Sequence, residues 1–337
     1  MNNNISLVDL LNDVSNITTG WIKKNVVNSQ NCGNLTNLVD YALKSTVPGN
    51  DRALMVKLGC ELKGKGINIA LPAMAAWELL NISLIVTDDF YDQRTSNRMG
   101  KKTIYSIWGT ESCVSLGFVL NSLSCETLIK AHNKDSRWNI HDAIEVLHWA
   151  MKWLYYSQFQ EEQLMKVPLS KVTFKMYLDM VNNATSVGIA GAFELGGVIG
   201  GANRHERQIF RNYATYIGHL AQIRDDFVDY IYAENLIKKG AFNDLYTKKR
   251  RLPILVAYWV GTPKEKNLIE KMFLQDTIDK CDALNAIDLV TSQKVTHKVR
   301  QIVDQLKAKA NHYSRSLPNV QPAKSVLNDL LDMFTDL

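Results

Sequence analysis

The chain is predicted to be all-α on three observations. No stretch alternates apolar and polar residues for the length of a strand, apolar residues recur at helical spacing, and the prolines fall mostly between such segments. From the N-terminus, "MNNNISLVDLLNDVS" lacks the basic region and apolar core of a targeting signal. Ile67 to Thr87 is the longest apolar run, close to the ~20 residues that cross a bilayer. Pro72, Glu78 and Asn81 interrupt it and aspartates follow, so it reads as a helix buried inside the protein. No membrane span is expected. Ile144, Leu147, Met151 and Leu154 repeat at one helical face, as do Val295, Val299, Ile302, Val303 and Leu306. Pro48, Pro168, Pro253, Pro263, Pro318 and Pro322 stand where helices should start or stop.

One segment strains this reading. Gly188 to Asn203, "GIAGAFELGGVIGGAN", holds several glycines, each costing ~1 kcal/mol against alanine in a helix. Either it is a loop, or Gly196, Gly197, Gly200 and Gly201 let a neighbouring helix or a ligand come close to the backbone.

With 337 residues, 46% hydrophobic, the chain can bury a substantial core. There are no short-period repeats and no linker rich in Pro, Gly or Ser, so a single domain, 1–337, is the simplest organisation. The net charge of +5 is spread along the sequence, leaving no electrostatic footprint for nucleic acid. Five cysteines with no CxxC spacing point away from a disulfide framework or structural zinc, and towards reduced thiols in the cytoplasm.

The chemistry is suggested by a repeated motif. "VTDDFYDQ" (Val86 to Gln93) and "IRDDFVDY" (Ile223 to Tyr230) share D-D-F-x-D, each preceded by apolar sequence. In a helix Asp88 and Asp92 share a face with Asp89 beside them, and Asp225, Asp229 and Asp226 repeat the arrangement. Like charges at this spacing weaken a bare helix by a few tenths of a kcal/mol per pair. A hard divalent cation reverses that sign, and Mg²⁺ held by carboxylates plus substrate phosphate oxygens is the usual arrangement. A lone DDxxD is most simply a solvated helical face. Two, both led by apolar runs, point to metal and diphosphate at the mouth of an apolar cavity.

From about Arg52 to Pro253 the sequence resembles the trans-isoprenyl diphosphate synthases and the related class I terpene synthases. The signature runs through "GHLAQIRDDFVDY" and "KKGAFNDLYTKKRRLP". The resemblance implies an isoprenoid synthase bundle of ten or more helices around a central cavity, a homodimer, and ionisation of an allylic prenyl diphosphate with Mg²⁺, three ions per site. It implies Asp88, Asp92 and Asp225 as primary metal ligands and Asp89, Asp226 and Asp229 as supporting ones. Gln222 and Thr185 would hold the departing diphosphate, with Lys239 and Lys249 as its cationic contacts and Lys238 and Lys248 as near substitutes. Ser83 and Leu84, before the first motif, would set chain length. Ser83 leaves room there, favouring farnesyl or geranylgeranyl substrates. Trp77, Phe159 and Phe193 could face a carbocation, although plain core is the simpler reading.

The chain departs from the elongating members at the acceptor site, where isopentenyl diphosphate would bind. Only Arg52 survives of the G-K-R-x-R-P element, Asn81 replaces a histidine, Ala184 a lysine, and "QRTSNRMGKKT" offers Arg98 where two arginines are usual. Three or four lost cations at ~1 kcal/mol each would weaken binding by tens- to thousand-fold. The resulting expectation is a terpene synthase, a lyase that cyclises or quenches its own carbocation. The alternative is a chain-elongating synthase using isopentenyl diphosphate or another acceptor, with cations such as Lys44, Lys101 or Lys102 standing in. A non-catalytic partner subunit is disfavoured because all six aspartates remain.

Overall fold

The computed structural model describes residues 6–29, 33–45, 51–91, 97–98, 100–231, 245, 247–275 and 277–336, without the side chains of 97, 98, 228–231 and 280. Among these residues the regular structure is helical apart from a two-stranded antiparallel ribbon, β1 (Asn97–Arg98) and β2 (Lys101–Lys102). The all-α expectation holds. The helices are α1 (Leu7–Asn25), α2 (Gly33–Ser45), α3 (Asp51–Glu61), α4 (Ile67–Tyr91), α5 (Ile104–Lys134), α6 (Ile140–Lys166), α7 (Phe174–Val181), α8 (Val187–Gly200) and α9 (Arg204–Ile231). They continue with α10 (Leu252–Val260), α11 (Pro263–Leu274), α12 (Lys280–Val290), α13 (Gln293–Ser314) and α14 (Ala323–Thr335). Pro253 and Pro263 sit in the first turns of α10 and α11, where a missing N–H costs nothing. Thr262 and Glu265 add a capping box to α11.

The chain divides into two compact units. The first comprises 1–152, 188–212 and 316–330. Its centre is apolar: Leu79, Ile82 and Val86 of α4 pack with Leu116 and Leu120 of α5, and Ile22, Val39 and Ala42 join from α1 and α2. Helices α4 and α5 are long and apolar enough to cross a membrane, but 72% of the apolar window of α4 and 44% of that of α5 is buried inside the protein. For α4 this matches the buried helix read from sequence.

The glycine-rich segment is helical as far as Gly200; Gly201 turns the chain at φ 89° and no neighbour approaches it. Tertiary contact decides it: a Cβ on Gly196 would lie 2.0 Å from the carbonyl oxygen of Val56 in α3, and one on Gly59 2.3 Å from that of Phe193. Close approach of two backbones excludes any side chain at these points, which offsets the propensity cost. Nearby, the buried Glu194 carboxylate accepts from Arg207 at 3.0 Å and also pairs with Arg211.

The second unit comprises 153–187, 213–315 and 331–337. Between α7 and α8 the helix widens into a π-turn over Asn182–Ser186. Here α9 approaches closely, and a Cβ on Gly218 would lie 2.4 Å from Cα of Ser186. The periodic residues Val295, Val299, Ile302, Val303 and Leu306 of α13 are all buried, as their spacing requires.

Candidate active site

The two aspartate motifs lie on different units and share one local pattern. On α4, Asp88 is half-buried and Asp89 fully buried; on α9, Asp225 is exposed and Asp226 is 2% exposed. Successive helical residues are turned about 100° apart, so one carboxylate of each pair faces inward and the other reaches solvent. Asp89 also helps raise the Cys113 thiol to about 11, behind burial as the main cause.

Asp226 is the centre of a hydrogen-bonded cluster. Its Oδ2 accepts from the Tyr177 hydroxyl at 2.8 Å and from the backbone N–H of Leu252 at 3.2 Å. The second bond satisfies a donor at the N-terminus of α10, where the preceding Arg251 makes no side-chain cap. Its Oδ1 accepts from Gln222 Nε2 at 2.7 Å, and Arg251 Nε lies 3.8 Å away. Gln222 Oε1 in turn accepts from the Thr185 hydroxyl in the π-turn. Burial, and then the charge of Asp226, push the Tyr177 phenol well above its usual range, so it stays protonated and donates. Widened turns of this kind often mark functional positions, and here one aims Thr185 at α9.

Cations adjoin this cluster. Glu161 of α6 accepts from Lys249 at 3.2 Å on one oxygen and from Arg251 at 2.9 Å on the other. Arg250 between them turns away and donates to the carbonyls of Met165 and Val167 at 2.6 and 3.1 Å, where α6 ends. Burial lowers its pKa, and the ring of Phe273 lies 4.8 Å from its guanidinium carbon. Lys248 occupies left-handed backbone at φ 58°.

On the first unit, Ser83 is fully buried and its hydroxyl donates to the Gly117 carbonyl of α5 at 2.9 Å; Leu84 is half-buried. Asn81 and Glu78 are buried side by side on α4. Burial raises the Glu78 carboxyl to about 7, Arg52 draws it down and Asp51 opposes. Glu78 Oε2 and Asn81 Nδ2 have no hydrogen-bond partner. Of the substitute cations, Lys44 pairs with Asp40 and Lys101 donates to the Lys44 carbonyl at 2.6 Å. Trp77 packs over Gly191 and Phe193 stacks on Phe210, both in the core, whereas Phe159 is exposed.

The predicted residues Thr185, Gln222, Asp226 and Lys249 therefore gather in one cluster with Asp225 at its edge. Asp92, Lys238 and Lys239 lie outside the described residues, as do the side chains of Asp229 and Arg98. Among the described residues no three acidic, histidine or cysteine side chains converge on one point. The donor chemistry nonetheless fits Mg²⁺: Asp88 and Asp225 are hard oxygen donors with access to solvent, each braced by a buried neighbour. Sequence reading missed Glu161, Tyr177 and Arg251. Nothing local marks Glu161 and Tyr177, which reach Asp226 or its cations from elsewhere in the chain; Arg251 stood in the quoted basic run with no role assigned to it.

Comparison with known proteins fixes the family. The polyprenyl synthetase family matches residues 34–290. A geranylgeranyl diphosphate synthase of Methanosarcina mazei is 27% identical over 242 residues, 70% of this chain and 73% of that one. An octaprenyl diphosphate synthase of Escherichia coli is 23% identical over 235 residues, 70% of each chain. In fold, a decaprenyl diphosphate synthase from Rhodobacter capsulatus superposes with TM-score 0.83 at 20% identity, covering 98% of both chains.

These findings overturn the expectation of a terpene synthase lyase: the relatives carry the names of geranylgeranyl and octaprenyl diphosphate synthases, and favour the alternative reading. Cations lost at aligned positions weighed more in that expectation than stand-ins such as Lys44, Lys101 or Lys102. The chain belongs to the polyprenyl synthetase family of trans-isoprenyl diphosphate synthases.

Proposed function

We propose that the chain is a chain-elongating prenyltransferase that joins isopentenyl diphosphate to an allylic prenyl diphosphate. The Asp226 cluster carries the reading. Tyr177 and Gln222, the latter held by Thr185, fix the buried Asp226 carboxylate; Arg251 lies beside it, Lys249 shares Glu161 with Arg251, and Asp225 is the exposed neighbour on α9. Such pre-set charge stabilises the negative charge that grows on the diphosphate as its carbon–oxygen bond breaks. Asp88, Asp89, Asp92, Asp225, Asp226 and Asp229 would hold Mg²⁺, three ions in this proposal, which supply Lewis acidity towards the leaving group. Lys239 and Lys249 would contact that group, Arg98 and Arg52 the acceptor, and Ser83 and Leu84 would bound the growing chain. A single domain, 1–337, is supported by a family match that runs through residues of both units.

A homodimer belongs to the same proposal. Val114, Phe118, Cys125 and Ile129 of α5 fall within about 60° of one another on the helix. All four are at least partly exposed, Phe118 by 70%. That stripe suits a second copy, and light scattering should find the Phe118→Glu variant monomeric. A cytoplasmic location is supported by the free thiols of Cys60, Cys113, Cys125 and Cys281.

The deciding assay is incubation with Mg²⁺ and farnesyl diphosphate, with and without isopentenyl diphosphate. A longer prenyl diphosphate formed only with the acceptor is expected. A hydrocarbon or alcohol released without it would sink the proposal.

A further inference from the structure

Residue 184 lies in the π-turn, is half-buried and is an alanine, so the turn that carries Thr185 brings no charge of its own to the cluster. The contacts that begin there run from Thr185 to Gln222, from Gln222 to Asp226, and from Asp226 to the guanidinium of Arg251. Arg251 also holds Glu161 at 2.9 Å, with Lys249 on the other carboxylate oxygen at 3.2 Å. Two cations and two carboxylates thus sit together. The cations come from one short segment, and Arg250 anchors that segment on the end of α6.

We propose that Arg251 is a further diphosphate-contacting residue, placing on the loop before α10 the cation that the turn at Ala184 lacks. The proposal rests on the prenyltransferase reading and adds a specificity residue to it. A guanidinium carries its N–H donors in a planar fork and can serve a carboxylate and a phosphate together, whereas an ammonium acts as a point charge. Glu161 keeps the two cations at fixed separation before the ligand arrives. Thr185 and Arg251 then address the same anion from opposite ends of one chain of polar contacts, two hydrogen bonds and an ion pair.

The test compares the wild type, Arg251→Thr, Arg251→Lys and the double variant Ala184→Lys/Arg251→Thr. Binding of inorganic pyrophosphate with Mg²⁺ is measured by calorimetry, KM for the allylic diphosphate by steady-state kinetics, and folding by thermal melting. Arg251→Thr should weaken pyrophosphate binding by about 10- to 100-fold, the worth of charge-assisted hydrogen bonds. KM should rise more than kcat falls. Arg251→Lys should lose less, and the lysine at 184 should restore most of the loss. The proposal fails if the wild type does not bind pyrophosphate, or if Arg251→Thr and Arg251→Lys bind within twofold of it. It also fails if weakened binding is not recovered by Ala184→Lys, which would leave Arg251 as a clasp for Glu161 alone. Absence of elongation by the wild type would instead count against the prenyltransferase reading, and the pyrophosphate comparison would still report on Arg251.

Discussion

Replacing His219 with leucine should make the protein more resistant to acid. His219 lies on α9, is 5% exposed, and neither ring nitrogen has a hydrogen-bond partner. Burial, and secondarily the charge of Lys309, lower its pKa from 6.5 to about 4. The folded state therefore binds a proton less readily than the unfolded chain. Stability is fully present above pH 6.5 and is lost as the pH falls towards 4. The loss approaches ~3 kcal/mol below pH 4 and is ~1 kcal/mol at pH 5.5. Leucine has a similar volume and does not titrate, so His219→Leu removes this slope. Urea unfolding of both proteins at pH 7.5, 6.5 and 5.5 measures it: the stability difference in favour of the variant should widen by about 1 kcal/mol between the first and last. Parallel curves, or a gap that narrows with acid, would show that His219 gains a proton freely in the folded state and refute the argument.

Three further outcomes are expected. Gly196→Ala should destabilise by about 3 kcal/mol in thermal unfolding, the upper end of overpacking costs, because its methyl would overlap the Val56 carbonyl. Lys248→Gly should stabilise by about 1 kcal/mol, since a left-handed φ strains any residue with a Cβ, and denaturant midpoints would register it. Asp88→Ala and Asp225→Ala should each lower turnover by orders of magnitude with unchanged helical circular dichroism, and chelation of Mg²⁺ should do the same to the wild type.

Much of the fold could be read in advance because its signals are local. Proline at the first turns of α10 and α11 and the buried stripe of α13 follow from short-range geometry. The helix α8 did not, since propensity favours a loop and the contacts of Gly196 with α3 lie far away in sequence. The aspartate motifs were legible because the D-D-F-x-D pattern stands twice in the letters, each time after an apolar run. The π-turn was not, because a widened turn has no compositional mark. Tyr177 and Arg251 were hidden because their meaning comes from Asp226, which they meet only after folding, and Glu161 because its partners Lys249 and Arg251 lie far along the chain. The acceptor site misled for a related reason: substitutions at aligned positions record what has gone and not what replaces it.

The basic run from Lys248 to Arg251 looks interchangeable when written as letters. In the folded chain its members alternate, with Lys249 and Arg251 directed to Glu161 and Arg250 seated on the last carbonyls of α6. Register therefore matters more than composition in this run. Deleting or inserting a single residue would exchange the anchor with its neighbours and reverse which side each guanidinium presents. A library that shuffles these four positions at constant charge should yield few active clones, and those should keep the original order of sides.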